Sequence, residues 1–238
     1  MIWKALLLIY NELDVRLTTT GLRKRRFHHY LSLEAIEDAV ESFRGFPDLV
    51  REFTFGAAAI EYEIKAIARP LTSLTERDEN DFWPSPDDTR AELDQYAPAR
   101  RHDSVFVLWP KHNFQNKTSV PSGAWGLALG ASHWSNGATY AAIANAPTSA
   151  WQNETRGEVW LHEWLHGVCH HFAQRGFAMP QRDADGAELH GYQRSPTNGW
   201  TDYYRDLMSG MVAESGKRLG ISLEAWAESF ANYRGAGR

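Results

Sequence analysis

The feature that most constrains the fold is a helix predicted from about Arg156 to Gln174. Thr155 and Glu158 match a capping box, in which the Thr hydroxyl and the Glu carboxylate satisfy backbone donors at the start of a helix. Gly176 follows the final turn and is expected to end the helix. Several predicted strands precede it, so the chain is expected to be an α+β protein with a mixed sheet.

Five segments before this helix have the apolar or alternating pattern of β-strands: residues 4–18, 53–67, 104–109, 125–129 and 138–143. Ser32 is predicted to open a helix, which the sequence Gly45-Phe46-Pro47 interrupts or ends. The last two strands are expected near a sheet edge. The polar stretch from Glu76 to Arg101 is predicted to be a surface excursion, which could cover a cleft.

The composition is that of a globular protein of 238 residues with a net charge of −5. The basic run Arg23-Lys24-Arg25-Arg26 stands alone in an acidic chain, so a solvated loop is favoured over a nucleic-acid site. The apolar run from Ala5 to Tyr10 is too short for a signal peptide, and no stretch is long enough for a membrane helix. A cytoplasmic protein with neither a nucleic-acid nor a membrane partner is expected, with secretion by another route left open.

Two histidines in the predicted helix could bind one metal ion. His162 and His166 are four residues apart, which puts them on one face of a helix, one turn from each other. The single cysteine, Cys169, excludes a cysteine-based zinc site, so histidines and carboxylates must supply every ligand. Cys169 itself is expected to be a small core residue.

Glu163 follows the first of these histidines and completes a His-Glu-x-x-His motif. Zinc in a hydrolytic site takes three protein ligands and keeps a fourth position for water. Glu163 has the residue type and position expected of the general base that takes the proton of this water. The motif thus predicts a zinc-dependent hydrolase; the alternative is a buried helix with satisfied histidines and a salt-bridged Glu163.

This motif resembles that of the zincin metallopeptidases. The segment Asp206-Leu207-Met208-Ser209-Gly210 and a final helix from Ser222 to about Tyr233 are similar to the methionine turn and last helix of the metzincin branch. The resemblance implies that Met208 forms a hydrophobic floor beneath the metal. It also implies a zincin-like fold, with the sheet and active-site helix in residues 1–175 and a smaller, mostly helical or irregular subdomain in residues 176–238.

The third metal ligand departs from the metzincin pattern. Metzincins have Gly three residues after the second His and the third ligand three residues later, but Cys169 and Phe172 occupy these positions. His170 lies two helical turns, about 11 to 12 Å, from the first motif histidine and cannot replace it. His170 and His171 are expected to be a solvated or helix C-terminal pair. The third ligand is therefore expected on residues 183–192.

Three residues of that segment are candidates for the third ligand. His190 fits the all-histidine habit of metzincins, Asp185 fits branches that use aspartate, and Glu188 fits the spacing of thermolysin-like zincins. Asp185 and His190 rank level, with Glu188 behind, since zinc accepts all three donor types. The candidates that do not bind could orient the ligands, and a turn without metal is the alternative.

A tyrosine hydroxyl is the expected second donor to the oxyanion that forms during hydrolysis. Tyr192 is favoured for its closeness to the ligand segment, with Tyr203 and Tyr204 as alternatives. The predicted protein is a zinc peptidase, whose peptide or protein substrate aligns against an edge strand around residues 138–144. A catalytically silent zincin-fold binding protein and a zinc hydrolase of a non-peptide amide are the alternative functions.

Overall fold

The computed structural model describes residues 2–19, 23–152 and 155–227. The helices of the described residues are α1 (Leu33–Phe53), α2 (Arg90–Tyr96), α3 (Thr148–Gln152), α4 (Glu158–Ala173) and α5 (Thr201–Met208), with 3-10 turns at His133–Ser135, Asp183–Asp185 and Glu188–His190. The strands are β1 (Ile2–Tyr10), β2 (Glu12–Thr19), β3 (Arg23–Tyr30), β4 (Ala59–Ile67), β5 (Thr75–Asp78), β6 (Asp81–Trp83), β7 (Ser104–Trp109), β8 (His112–Asn113), β9 (Thr118–Ser119), β10 (Gly126–Leu129), β11 (Thr139–Ala144), β12 (Val212–Glu214) and β13 (Lys217–Leu219).

A five-stranded mixed sheet in the order β10-β11-β7-β1-β4 forms the centre of the fold. Strands β11, β7, β1 and β4 run parallel to one another, and β10 runs antiparallel to β11. The α+β class and the mixed sheet predicted from the sequence are therefore confirmed. The prediction that residues 138–144 form the edge strand of the sheet was wrong, because β11 (Thr139–Ala144) is an interior strand. The edge strand is its neighbour β10.

Both faces of the sheet are covered, which explains why β7 and β11 are buried along their whole length. On one face, Leu7 and Phe106 join α1 and α4 in a core rich in aromatic side chains. On the other face, Leu8 and Val107 pack with the β2–β3 hairpin and with residues of the 76–101 stretch. Alternating side chains of one strand thus enter two separate cores.

The stretch from Glu76 to Arg101 is only in part the predicted surface excursion. It contains β5, β6 and α2, and the side chains of Phe82, Trp83 and Leu93 are buried in the second core. The prolines and acidic residues of this stretch indicate a surface loop, but its apolar positions are those of a packed segment. Burial of each large apolar side chain contributes about 1.5 to 3 kcal/mol, which is enough to hold the stretch against the sheet.

Helix α1 continues through Pro47 to Phe53, so the predicted break at this proline was wrong. A proline inside a helix costs about 3 kcal/mol, since it removes a backbone hydrogen bond and crowds the preceding turn. Phe46 and Val50 on either side of Pro47 are completely buried, and their burial offsets this cost. The following strand consequently starts at Ala59, later than predicted.

The predicted first strand is also divided, because β1 and β2 are separated at Asn11. β1 lies in the central sheet, whereas β2 leaves it to pair with β3. The basic run of residues 23–26 is therefore part of strand β3 and not the loop that the sequence predicted. Arg26 in this run forms an ion pair with Asp14 on β2, at 2.6 Å.

The helix that constrains the fold is present as α4, but its start differs from the prediction. The N-cap residue is Gly157, with φ of 92°, and no side chain caps the helix. A Cβ atom at Gly157 would overlap the backbone of Gly45 and Phe46 in α1, so the absence of a side chain allows the two helices to approach. Glu158 does not complete the capping box; its carboxylate accepts the backbone N–H of Trp200 at 2.7 Å.

Several residues between 177 and 227 pack on the same core as α4. Trp226 stacks on Trp164 with ring centroids 5.8 Å apart, and its Nε1 donates to the carbonyl of Met208 at 2.8 Å. Met208 is fully buried at the end of α5, and its predicted place beneath a metal stays a prediction, as does the predicted division at residue 175. Residues 223–227 are helical, and the rest of the predicted final helix lies outside the described residues.

The described part of the chain contains no helix with both the length and the apolar character that a membrane crossing requires.

Candidate metal centre

The two motif histidines project from one face of α4 towards a common point. Their rings are nearly perpendicular, with centroids 4.8 Å apart, and the Nε2 atoms of His162 and His166 are separated by 3.3 Å. The structure therefore brings these two residues together as their spacing predicts. Two nitrogen donors converge on the space in front of the helix.

Asp185 supplies the third donor at this point. Its Oδ1 lies 3.5 Å from Nε2 of His162, and its Oδ2 lies 3.8 Å from Nε2 of His166. Among the described residues, His162, His166 and Asp185 form the one group of potential ligands whose atoms all lie within 4.8 Å of one another. The turn Asp183–Asp185, which follows α4 after a loop, carries this aspartate back to the helix.

The other two candidates lie away from the histidines. Nε2 of His190 is 3.1 Å from the carbonyl oxygen of Gln181 and 3.7 Å from Oε2 of Glu214. The imidazole also stacks on Tyr203, with centroids 6.1 Å apart. Glu188 is exposed to solvent and belongs to no ligand cluster. The structure thus favours Asp185, which the sequence had ranked level with His190.

The three donors fit a tetrahedral divalent ion such as zinc. Zinc binds imidazole nitrogens and carboxylate oxygens at about 2.0 to 2.2 Å, and a tetrahedron of this size separates its ligands by about 3.3 to 3.5 Å. The nitrogen–nitrogen separation of 3.3 Å and the shorter nitrogen–oxygen separation of 3.5 Å agree with this geometry. Three protein donors also leave one tetrahedral position for water or substrate.

The outer nitrogen of each histidine contacts a second residue. Nδ1 of His162 is 2.8 Å from the hydroxyl oxygen of Tyr204, and Nδ1 of His166 is 2.6 Å from Oδ1 of Asp183. When Nε2 binds a metal, Nδ1 carries the proton and donates it to such a partner, which fixes the ring orientation. Asp183 is held in turn, because its Oδ1 accepts the backbone N–H of Ala184 at 2.6 Å.

Sequence reasoning did not assign these orienting roles to Asp183 or Tyr204. Asp183 was part of the predicted ligand segment, and its position two residues before Asp185 was the available signal. Tyr204 was an alternative for the oxyanion donor. No local pattern links Tyr204 to His162, because 42 residues separate them and the contact forms only in the fold.

Glu163 is a buried carboxylate beside the candidate metal ligands. Its side chain is 7% exposed, and Oε1 lies 4.0 Å from Nε2 of His162. Burial raises the pKa of Glu163 to about 7. The edge strand passes close to this carboxylate at Gly126, where an added Cβ atom would overlap it. A side chain of this pKa can either accept or donate a proton near neutral pH.

The pKa values of the two histidines differ because their partners differ. Burial and the neighbouring His166 lower the pKa of His162. Burial also lowers the pKa of His166, but the hydrogen bond to Asp183 and the negative charges of Asp183, Glu163 and Asp185 together outweigh this effect, and the net shift is upward. Asp183 makes the largest of these upward contributions.

The predicted role of Tyr192 is not supported by its position. Its hydroxyl donates to Oδ2 of Asp206 at 2.5 Å, and burial together with this hydrogen bond raises the pKa of Tyr192 above its usual value. The hydroxyl of Tyr203 donates to the backbone carbonyl of Asp183. Of the three candidate tyrosines, Tyr204 is the one whose hydroxyl contacts a motif histidine.

The last turn of α4 contains one exposed and one buried histidine. His170 is exposed, as predicted, and faces the edge strand close to Gly130. His171 is 6% exposed and packs edge-on against Trp3, so of the two predicted alternatives it is a helix C-terminal residue and not a solvated one. Its Nδ1 accepts a hydrogen bond from Nη1 of Arg175 at 2.8 Å.

Cys169 lies in the interior on α4, between the motif histidines and His170 in the sequence. It is fully buried, and burial raises the pKa of its thiol well above the usual value. A protonated thiol in apolar surroundings is a poor nucleophile and a poor metal ligand. The predicted role of Cys169 as a small core residue agrees with this environment.

Two cavities meet at the histidines. The larger, of about 660 Å³, lies along β10 and is also lined by Trp134 and His170. The smaller, of about 350 Å³, has an aromatic lining that includes Trp125, Trp151 and Trp200. His162, Glu163 and Ala124 line both cavities, so the two cavities adjoin and form one cleft beside the candidate ligands.

The sequence matches no protein-family model and no curated protein. The function must therefore be inferred from the residues and geometry of the site. The site has three principal features: the converging donors, the buried carboxylate of Glu163 and the cleft along β10.

Proposed function

We propose that the chain is a zinc-dependent peptidase of the zincin type, in which Glu163 is the general base. The observation that carries this proposal is the convergence of His162, His166 and Asp185, with donor separations of 3.3 to 3.8 Å, directly beside Glu163. Three ligands with an open position are typical of a hydrolytic zinc site and not of a structural one, which is usually closed by four protein ligands.

In this reaction Glu163 moves the proton. Zinc, when bound, supplies a Lewis acid that polarises the substrate carbonyl and lowers the pKa of water at the site. The Glu163 carboxylate accepts the proton of the attacking water and delivers it to the leaving amine. Burial raises the pKa of Glu163 to about 7, so its carboxylate can both accept and return a proton near neutral pH.

The remaining residues hold the ligands in place. Asp183 and Tyr204 accept hydrogen bonds from the outer nitrogens of His166 and His162, so that both Nε2 atoms keep facing the open position. The oxyanion donor predicted at Tyr192 has no support, because the hydroxyl of Tyr192 is engaged by Asp206.

The edge strand β10 supports a peptide as the substrate. It borders the cleft over its whole length, and its outer side has no strand partner among the described residues. An extended peptide could add to this edge through backbone hydrogen bonds, which a small non-peptide amide could not do. β10 takes the role that the sequence had assigned to the neighbouring β11.

The zincin-type fold is supported by the relation between α4 and the sheet. α4 packs below β10 and β11, with Gly167 close to the carbonyl oxygen of Leu129. The motif histidines therefore face the cleft beside the edge strand. The third donor, Asp185, lies on the turn Asp183–Asp185, which follows α4 in the chain.

The test combines metal content with hydrolysis. We expect about one zinc per chain in the purified protein by elemental analysis, and cleavage of an unfolded protein such as reduced β-casein, detected by mass spectrometry. Glu163→Gln should retain zinc and lose cleavage, whereas Glu61→Gln, which changes an exposed glutamate of β4, should retain both.

Three outcomes would separate the alternatives. Stoichiometric zinc without cleavage of any polypeptide would favour a catalytically silent binding protein. Cleavage of small amides but not of polypeptides would favour a non-peptide amide hydrolase. Cleavage that persists in a clean preparation of Glu163→Gln would exclude the proposed mechanism.

A further inference from the structure

The cleft continues beyond the metal ligands. The aromatic cavity beside the ligands shares Ala124, Trp125 and Ala150 with a third cavity of about 390 Å³. This third cavity in turn shares His112 and Phe114 with a fourth cavity of about 220 Å³, which ends at Tyr30. Each of the four cavities thus shares lining residues with the next, and together they offer more surface than a single amide substrate would need.

The walls of the outer part of the cleft are held by buried polar contacts. Nζ of Lys111 donates to the carbonyl oxygens of Ser122 at 3.1 Å and Ala124 at 2.8 Å. The side chain of Asn145 contacts both backbone groups of His112, with Oδ1 accepting its N–H at 2.8 Å and Nδ2 donating to its carbonyl at 3.0 Å. These bonds join the two walls and form the groove before any ligand arrives.

An exposed aromatic side chain lies in this outer part. Phe114 is 49% exposed and stacks on the ring of His112, with centroids 5.6 Å apart and planes inclined by 23°. Tyr30, at the far end, is 55% exposed. Exposed aromatic side chains in a concave site typically bind apolar or aromatic groups of a partner.

The charge of this region is suited to a neutral ligand. The side chains that line the third cavity are mostly apolar or uncharged. The ammonium group of Lys111 is the exception, but this residue is 6% exposed and its Nζ already donates to two carbonyls. A polyanion would therefore find little positive charge here, whereas a polypeptide would find apolar surface and backbone groups.

We propose that this outer part of the cleft, which we call the distal groove (His112, Phe114, Trp125, Asn145 and Ala150), binds a segment of an extended polypeptide remote from the cleaved bond. The bound segment presents an apolar or aromatic side chain to Phe114. The proposal rests on the proposed function, because the distal groove adjoins, at Ala124 and Trp125, the aromatic cavity that His162 lines. The substrate is then a polypeptide that fills both cavities at the histidines and the groove beyond them.

Peptide length tests the distal groove. A peptide of about four residues spans about 13 Å, and one of about twelve residues spans about 40 Å. Three fluorescently labelled peptides would share the same four-residue core. The first is the core alone, the second is extended at its N-terminal end by a phenylalanine-containing flank, and the third is extended at its C-terminal end by such a flank. Their dissociation constants would be measured by fluorescence anisotropy on the zinc-loaded Glu163→Gln protein, so that binding is read without cleavage.

One of the two extended peptides should bind at least about tenfold more tightly than the short one, and Phe114→Ala should remove most of this advantage. Phe55→Ala, which truncates a 70% exposed phenylalanine outside the cleft, should leave the advantage intact. Equal binding of short and extended peptides would overturn the proposal. Equal length preference in Phe114→Ala and Phe55→Ala would also overturn it.

The cleavage assay with β-casein distinguishes failure of this proposal from failure of the proposed function. A zinc-loaded wild-type protein that binds extended peptides through Phe114 but cleaves nothing would contradict the peptidase and retain the distal groove. A protein that cleaves β-casein, but binds short and extended peptides equally, would retain the peptidase and contradict the distal groove.

Discussion

Oδ1 of Asp183 lies 2.6 Å from Nδ1 of His166, while Asp185, two residues later, points its carboxylate at the opposite nitrogen of the same ring. One short 3-10 turn thus carries both a candidate ligand and the residue that orients another ligand. The hydroxyl of Tyr203 holds this turn through the carbonyl of Asp183. Small changes in the turn should therefore affect metal binding more than overall stability.

Asp183→Asn is predicted to weaken zinc binding by about 10- to 100-fold, because the neutral amide is a poorer acceptor for the Nδ1 proton of His166. Competition with a chromophoric chelator measures the affinity. Asp48→Asn, which changes a largely exposed carboxylate on α1, is the matched control and should bind zinc like the wild type. Unchanged zinc affinity in Asp183→Asn would contradict the orienting role.

Alanine substitutions should show which of the three candidate residues is the third zinc ligand. Asp185→Ala is predicted to lower zinc affinity by more than about 100-fold, since it removes a direct donor and leaves two histidines. Glu188→Ala should have no effect, because Glu188 is exposed and outside the cluster. His190→Ala should lower thermal stability but leave zinc stoichiometry at its wild-type value, because His190 contacts Gln181 and Glu214 instead. Loss of zinc in a folded His190→Ala protein would reverse the assignment.

Gly126→Ala is predicted to reduce kcat for peptide cleavage by at least about tenfold, because the new methyl group overlaps the Glu163 carboxylate and must displace it. Zinc content and the thermal unfolding temperature should change little, since the displaced atoms are the end of a flexible side chain. Glu61→Gln, which changes an exposed glutamate of β4, is the control and should keep the wild-type kcat. Full activity of Gly126→Ala would argue against a fixed position for Glu163.

His171 is predicted to make the protein less stable in mild acid. Burial, with smaller contributions from Arg175 and His170, lowers its pKa from 6.5 to about 4 in the folded state. Its contribution is therefore fully present above about pH 6.5 and is lost as the pH falls towards about 4, because the unfolded chain binds the proton more readily. Between about pH 7.5 and about pH 5 the loss is about 2 kcal/mol.

Urea unfolding at these two pH values measures the effect. In His171→Gln the decrease in the free energy of unfolding should be smaller than in the wild type by about this amount. His133→Gln, which changes an exposed histidine, should keep the wild-type decrease. If His171→Gln and the wild type lost the same stability, His171 could not be the group that titrates.

The regular elements that the sequence predicted are those whose signal is local. The α+β class, the buried strand β7 and the helix α4 follow from apolar periodicity over a few residues. The errors arose where distant contacts outweighed a local signal. α1 passes through Pro47 because Phe46 and Val50 are buried by other elements, and the polar stretch around Phe82 is held because its few apolar side chains pack with strands far away in the chain.

The sequence by itself determined the pair of histidines and the carboxylate between them, because a helix places residues four apart on one face whatever surrounds it. The tertiary structure decided the third donor, since Asp185, Glu188 and His190 are equivalent in ligand chemistry and differ only in where the chain after α4 returns. It also made β10 the edge strand and brought Asp183 and Tyr204 into contact with the Nδ1 atoms of the two histidines. These relations join residues far apart in the chain, and they form only when packing of the whole core brings the segments together.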